Sequence, residues 1–496
     1  MRWIVPRDPL PTWRRWWACD APAAGVIQPD VLRWHETAGA ALAISSRTGG
    51  WAVFDPAERT ALTHAVRIED SGQWRPVVEA AWRRGLITIG GRSVYDPDEQ
   101  REAVEATRDY YTLVLLLNHG CNLVCTYCYL GHAAPTPHRA MAADVARAAI
   151  LGALGQPWPT ILVDFGEIAV AGAALRELLP WARAAAEARG KTLRASIQTN
   201  GTTLDEDLAD FLADHDVAVG ISLDGPREVH DAARVFRSGA GSYDRAVAAI
   251  RRCVERRISV HLIATISRHN IGRPGEVVTE LARHTPNSTL LKPVLPEGEA
   301  GAAWQNHAIS ETQYADFMCH AIRHADRADV GTLDQSAGKF LLRLLGDRSG
   351  WRDSCTSRAC GSGRSLHVVG ADGGVHACPR FIADDSAVSA GSRRQLVLTP
   401  ARPGGAAPLP DLLPAGLRAA PPSCAGCSWL GSCGGGCTLI AQQGSAAVPM
   451  PDPHCVAYQS MHETLFATVI PSFFAGRHSD STAFNGATTR TVLAGY

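Results

Sequence analysis

The sequence predicts an α/β protein in which strands and helices alternate through the middle of the chain. Three observations carry this. Six apolar, strand-like runs recur between residues 111 and 294. Helical patterns such as MAADVARAAILGAL and GAALRELLPWARAAAEA fill the intervals. A loop with three cysteines directly follows the first run. Strands and helices in this order imply a parallel sheet with right-handed crossovers, either an open doubly wound sheet or a partial barrel. In both, the chemistry belongs at the carboxyl ends of the strands.

At 496 residues the chain is too long for one small core. Its 46% hydrophobic and 20% charged residues are the balance of a soluble globular enzyme. A formal net charge of −1 provides no field to recruit nucleic acid or an anionic membrane, so neither is an expected partner. The N-terminal MRWIVPRDPLPTWRRWW places prolines and arginines where a signal peptide needs a continuous apolar run. No apolar stretch is long enough for a membrane span. A cytoplasmic location is expected, and in a reducing compartment the 14 cysteines read as metal ligands rather than disulfides.

Residues 1–105 read as a small N-terminal α+β module. AALAISS and GWAVF alternate apolar and polar residues like paired strands. DPAERTALTHAV and QWRPVVEAAWRRGLI carry helix-start signals, and TIGGRSVYD reads as a hairpin with a Gly-Gly turn. Strands, two helices and a wing predict a winged-helix-like fold. Residues 106–300 hold the six βα units, with strands at 111–117, 160–165, 192–198, 217–223, 259–266 and 288–294. Residues 301–350 read as a helical connector, and 351–465 as a Cys- and Gly-rich domain. Within that domain, seven prolines between 400 and 422 predict a loose loop. Residues 466–496 read as a flexible tail.

The chemistry concentrates in HGCNLVCTYCYLGH, residues 119–132, where Cys121, Cys125 and Cys128 fall within eight positions. Closely spaced thiolates are commonly iron–sulfur ligands. Three of them leave one iron of a [4Fe–4S] cube without a protein ligand, open to a small molecule. The spacing also fits a zinc site with a distant fourth ligand such as His132, or a buried structural group.

CNLVCTYCY resembles the C-x3-C-x2-C loop of the radical SAM superfamily, with Tyr127 before the third cysteine. The resemblance implies a partial (β/α)6 TIM-like barrel. It also implies S-adenosylmethionine (SAM) chelated on the open iron and cleaved to a hydrogen-abstracting 5′-deoxyadenosyl radical, with an electron donor such as flavodoxin or ferredoxin. Later segments fall where the family places its cofactor contacts. FGEIAV, after the second strand, keeps Gly166 and Glu167 of a Gly-Gly-Glu-Pro turn but has Phe165 and Ile168 in place of the first Gly and the Pro. SIQTNGT, containing Asn200, follows the third strand, and GISLDGPREVHDAAR covers the end of the fourth. By resemblance Tyr127, Gly166, Glu167, Asn200, Ser222 and Arg234 line the cofactor.

Eight further cysteines form a second pattern. Cys355, Cys360 and Cys378 precede CAGCSWLGSCGGGC, which is C-x2-C-x5-C-x3-C, and Cys455 closes the set. Taken alone these fit two four-ligand clusters or a pair of zinc ribbons equally. The whole is similar to a SPASM domain, the auxiliary-cluster domain of peptide-modifying radical SAM enzymes. The resemblance implies one auxiliary [4Fe–4S] cluster on Cys355, Cys360, Cys378 and Cys437, and another on Cys424, Cys427, Cys433 and Cys455, with an electron-transfer role. Cys253 and Cys319 lie in helical stretches and read as packing residues.

The expected activity is that of a peptide or protein maturase. It would abstract a side-chain or α-carbon hydrogen and form a carbon–carbon or carbon–sulfur crosslink in a ribosomally made precursor peptide. The N-terminal module resembles domains that capture leader peptides by adding a strand to a sheet edge. Sulfatase-maturing relatives carry an Asp after the cysteine equivalent to Cys378; here Pro379 stands there, with Asp384 and Asp385 nearby. Oxidation of Ser or Cys to formylglycine and peptide epimerisation stay open, as does a non-enzymatic zinc-binding regulator.

Overall fold

The computed structural model describes residues 19–30, 32–37, 40–45, 47–94, 108–118, 120–129, 140–166, 172–284, 288–328, 334–344, 355, 360–379, 408–412, 421–437 and 452–469. Two compact units form. One gathers residues 1–108, 337–360 and 415–479; the other gathers 109–336, 361–414 and 480–496.

In the first unit, β1 (Ile27–Pro29) precedes a meander of β2 (Leu32–Thr37), β3 (Ala40–Ser45) and β4 (Trp51–Phe54). Helix α1 (Pro56–His64) starts where the sequence signals it. The Asp55 side chain accepts from the Glu58 amide at 2.7 Å, and the Glu58 carboxylate accepts from the Asp55 amide at 3.1 Å, a reciprocal capping box. Helix α2 (Arg75–Arg83) buries Val78, Ala81 and Trp82 against Phe54, Leu62 and Ile68. The expected Gly-Gly turn forms, with Ile89 and Arg92 exchanging both backbone hydrogen bonds across Gly90 and Gly91, and β5 (Ile87–Ile89) pairs antiparallel with β1. Burial decides this, because Ile27, Ile87 and Ile89 all join the module's core.

Residues from the far end of the chain complete this unit. Helix α10 (Cys455–Thr464) runs into a π-helical turn over Leu465–Val469. Leu465, Phe466 and Val469 are buried. The Phe466 ring meets Trp51 and Trp429 edge-on, at centroid separations of 6.4 and 5.7 Å. The described structure therefore continues past the expected tail boundary at residue 466; residues 470–496 lie outside the described set.

The second unit is the α/β body. Strands β6 (Tyr110–Leu115), β7 (Thr160–Asp164), β8 (Thr192–Thr199), β9 (Val217–Ser222), β10 (Val260–Ile266) and β11 (Ser288–Pro293) lie in sequential order, and every neighbouring pair is parallel. Helices α3 (Ala143–Leu154), α4 (Gly172–Glu187), α5 (Glu206–Asp214), α6 (Arg227–Ala233), α7 (Tyr243–Glu255) and α8 (Pro274–His284) provide the crossovers. After β11, α9 (Glu311–Ala328) packs on α8. Alternation along the strands sends Leu113, Val163, Ile197, Val219 and Leu262 into the helix layer, where all are buried. The opposite face carries Asp164, Ser196, Gln198, Ser222, Thr265 and Lys292, a polar row at the carboxyl ends.

Two findings depart from the sequence reading. Leu366–Val369 from the Cys-rich region, β12, extends this sheet by pairing in parallel with β6, and β13 (Val375–His376) follows antiparallel. The Pro-rich segment is also not loose where it is described. Leu409 and Leu412 are buried, and the Leu409 carbonyl accepts from Gln156 Nε2 at 2.8 Å. Apolar side chains between the prolines supply the anchoring that the turn-forming residues do not show.

Asp55→Ala removes one half of the capping box and costs about 1 kcal/mol locally. The expected outcome is about fivefold faster hydrogen exchange at the α1 amides, measured by mass spectrometry, with the α/β body unchanged.

Candidate active site

The loop after β6 is fixed from three sides. Leu123 bridges Phe236, while the Val124 and Thr126 amides donate to the Val235 and Ala233 carbonyls at 2.8 and 3.0 Å. The Glu299 amide donates to the Cys128 carbonyl at 2.9 Å. Gly298 makes that approach possible: at φ 53° it lies so close that a Cβ would sit 2.4 Å from the Cys128 oxygen. Cys121, Cys125 and Cys128 thus pack in one cluster with Leu123, Tyr127, Ala233, Val294 and Ala300.

Beneath the loop sits a buried carboxylate. Asp224 is 2% exposed and accepts from the Tyr127 hydroxyl, from Arg234 Nε at 3.0 Å and from the Thr265 amide at 2.9 Å. Its own carbonyl accepts from Asn270 Nδ2 at 3.1 Å. The Arg234 guanidinium lies 5.3 Å from the Tyr127 ring centre. His230 completes the shell. Its Nδ1 accepts from the Asp224 amide, so its Nε2–H donates to Ser242 Oγ, which in turn donates to the Arg234 carbonyl. Burial lowers the His230 pKa to about 4, keeping the ring neutral in that relay.

Of the six residues expected at the cofactor, five lie among the described residues. Tyr127 and Arg234 are buried and engaged with Asp224, which sequence reasoning did not single out. Ser222 ends β9 on the polar face. Gly166 follows β7; its amide donates to Asp164 and its carbonyl accepts from the Gln198 amide at 3.1 Å. Asn200 is 4% exposed and donates to Cys121 Sγ at 3.4 Å. Glu167, His132, Asp384 and Asp385 lie outside the described residues. Asp164, also missed, accepts from Ser196 Oγ and the Gly166 amide, both at 2.8 Å. Burial raises its pKa, with the Lys292 charge among the opposing influences. Its signal was the polar residue ending an otherwise apolar strand.

The thiols fit an iron–sulfur group in their donor chemistry. Burial pushes the Cys125 thiol up to about 12 against the charge of Arg234, while N–H groups of Leu123 and Asn200 point at the Cys121 sulfur. Among the described residues no three His, Cys, Asp or Glu side chains close around a single ion position.

In the first unit, Cys424, Cys427, Cys433 and Cys455 line one small pocket together with Trp429, Asp452, Tyr458 and Gln459. Gly434, Gly435 and Gly436 all take positive φ, at 79°, 101° and 74°. That turn aims the Gly435 and Gly436 amides at Cys433, whose thiol burial pushes up to about 12. Trp429 N–H donates to Cys427 Sγ at 3.5 Å, and Gln459 Nε2 donates to Cys455 Sγ at 3.4 Å. These four are the thiols that the sequence grouped as one auxiliary set. Of the other set, Cys355, Cys360 and Cys437 fall in the first unit and Cys378 in the second.

Residues 115–281 match the Radical SAM superfamily. The chain is 26% identical over 301 residues to a serine-type anaerobic sulfatase-maturating enzyme of Bacteroides thetaiotaomicron, covering 55% of this chain and 70% of that one. It is 29% identical over 361 residues to an Fe-coproporphyrin III synthase of Methanosarcina barkeri, covering 68% and 85%. The fold is similar to that of native anSMEcpe with bound AdoMet, with a TM-score of 0.58 at 20% identity over 73% of this chain and 98% of that one.

Asp224→Asn leaves Arg234 buried without its counter-charge, a cost of about 3–5 kcal/mol. Tyr127→Phe removes one hydrogen bond from a carboxylate that keeps other donors, about 1–2 kcal/mol. Chelator-driven iron loss from anaerobically reconstituted protein is expected to be much faster in the first variant and mildly faster in the second.

Proposed function

We propose, for a chain whose radical SAM domain makes it an enzyme that binds a [4Fe–4S] cluster and SAM, that its substrate is a peptide or protein and that it forms a carbon–carbon or carbon–sulfur crosslink. The observation that carries this reading is the pairing of two thiol sites, the three-cysteine loop over Asp224 and the four-cysteine pocket. The bound group supplies hydrogen-atom abstraction. Crosslink formation also needs a proton acceptor and an exit for one electron. Auxiliary clusters held by Cys355, Cys360, Cys378 and Cys437 and by Cys424, Cys427, Cys433 and Cys455 would serve the second need.

Asp164 fits the first need. It ends β7 on the polar face, and its two oxygens already accept from Ser196 and Gly166, which favours the carboxylate form. Pro379, in the position of the sulfatase enzymes' proposed base, has no proton-accepting side chain. This favours crosslinking over formylglycine formation. Among the described residues β2 and β4 are the edge strands of the N-terminal meander, the kind of edge to which a leader peptide would add a strand.

Anaerobic metal analysis is expected to return about twelve irons and as many sulfides per chain; zinc instead would support the regulator. Cys125→Ala is expected to abolish cleavage of SAM to 5′-deoxyadenosine. Coexpression with a short peptide encoded beside the gene should give a product lighter by two hydrogens. Conversion of iron coproporphyrin instead would overturn the peptide assignment. With the base at Asp164, modification should fall as pH drops through its raised pKa, in a window above the ordinary carboxylate range. In Asp164→Asn that acid limb should vanish along with most modification, while SAM cleavage persists.

A further inference from the structure

Asn200 was expected to line SAM, yet its side chain is turned to a cluster ligand. Nδ2 donates to Cys121 Sγ at 3.4 Å and to Asn122 Oδ1 at 3.0 Å. Oδ1 accepts from the Thr202 amide at 2.9 Å and from Thr202 Oγ at 2.6 Å. Asn122 Nδ2 closes the ring by donating to Thr202 Oγ at 2.7 Å. This fixes the amide's orientation, because a flipped Asn200 would set its NH2 against the Thr202 amide proton. The donor facing Cys121 is therefore dictated by the network. Asn200 is 4% and Thr202 6% exposed, so water competes poorly for the sulfur.

We propose that Asn200 is a positioning residue that sets the reduction potential of the cluster on Cys121, Cys125 and Cys128 by hydrogen-bonding the Cys121 thiolate, with Thr202 and Asn122 holding its amide in the donating orientation. The proposal rests on those three thiols holding the cluster. An N–H directed at a ligating sulfur withdraws electron density and stabilises the more negative, reduced state. A second donor to this sulfur, the Leu123 amide at 3.5 Å, is backbone and survives side-chain substitution. Asn200 is thus an adjustable side-chain donor in the sulfur's environment. It links the turn after β8 to the loop after β6.

The test is a redox titration of the full-length, anaerobically reconstituted protein followed by EPR. The relevant cluster is the component whose spectrum changes on later addition of SAM, and its midpoint is read before SAM is added. Asn200→Ala should shift that midpoint to more negative potential, and the near-isosteric Asn200→Asp should shift it further. Thr202→Val, which only loosens the amide, should give a smaller shift of the same sign. Iron content and SAM affinity, the latter by calorimetry, are expected to match the parent. An unchanged midpoint with full iron content would overturn the proposal, and lost SAM affinity alone would restore Asn200 as a SAM contact. Loss of iron in all three variants would also overturn it, making the network a scaffold. Absence of any SAM-responsive component in the parent would instead sink the reading on which the proposal rests.

Discussion

A single buried carboxylate organises the reactive end of the α/β body. Asp224 lies just past β9 and holds the hydroxyl of Tyr127, the guanidinium of Arg234 and the amide of Thr265. Those partners come from the cysteine loop, the end of α6 and strand β10. An unpaired carboxylate buried this deeply would be costly, and an unpaired guanidinium equally so. Each charge is tolerable because the other is present. The loop is therefore tied to the sheet by the need to keep both satisfied, and the thiols inherit their placement from that pairing.

The two thiol sites solve the same electrostatic problem differently. Buried thiols resist ionisation, yet an iron ligand must be a thiolate. At the loop, Arg234 opposes burial at Cys125, and Asn200 directs an N–H at Cys121. In the auxiliary pocket the donors are mostly backbone, presented by a run of three positive-φ glycines and by Trp429. Arg343 adds a charge nearby, donating to the Ser432 and Cys433 carbonyls at 3.4 and 3.3 Å. Side-chain donors can change without rebuilding the turn, whereas backbone donors are set by the turn itself.

The polar row at the strand ends has a matching economy. Asp164, Ser196, Gln198, Ser222, Thr265 and Lys292 share the face away from the helices. Each is short of full burial, whereas the residues facing the helices are buried. That makes the edge suited to a polar cofactor and a substrate backbone, while the apolar helix layer supplies the stability.

Much of this was legible in the sequence by periodicity alone. The six central strands fell within two residues of their observed bounds, since each is an apolar run bounded by turn residues. The capping box at Asp55 and Glu58 is likewise local chemistry. The grouping of Cys424, Cys427, Cys433 and Cys455 was read from spacing through a resemblance, and the pocket brings the four together. What only the tertiary structure decided depends on residues far apart in the chain. β12 joins β6 across more than two hundred positions, β1 pairs with β5 through core isoleucines, and Phe466 becomes core against Trp51. Asp224 and Asn200 belong to the same class. Their residue types permit many partners, and only the folded chain, by excluding water and closing those hydrogen bonds, selects the sulfur and the guanidinium.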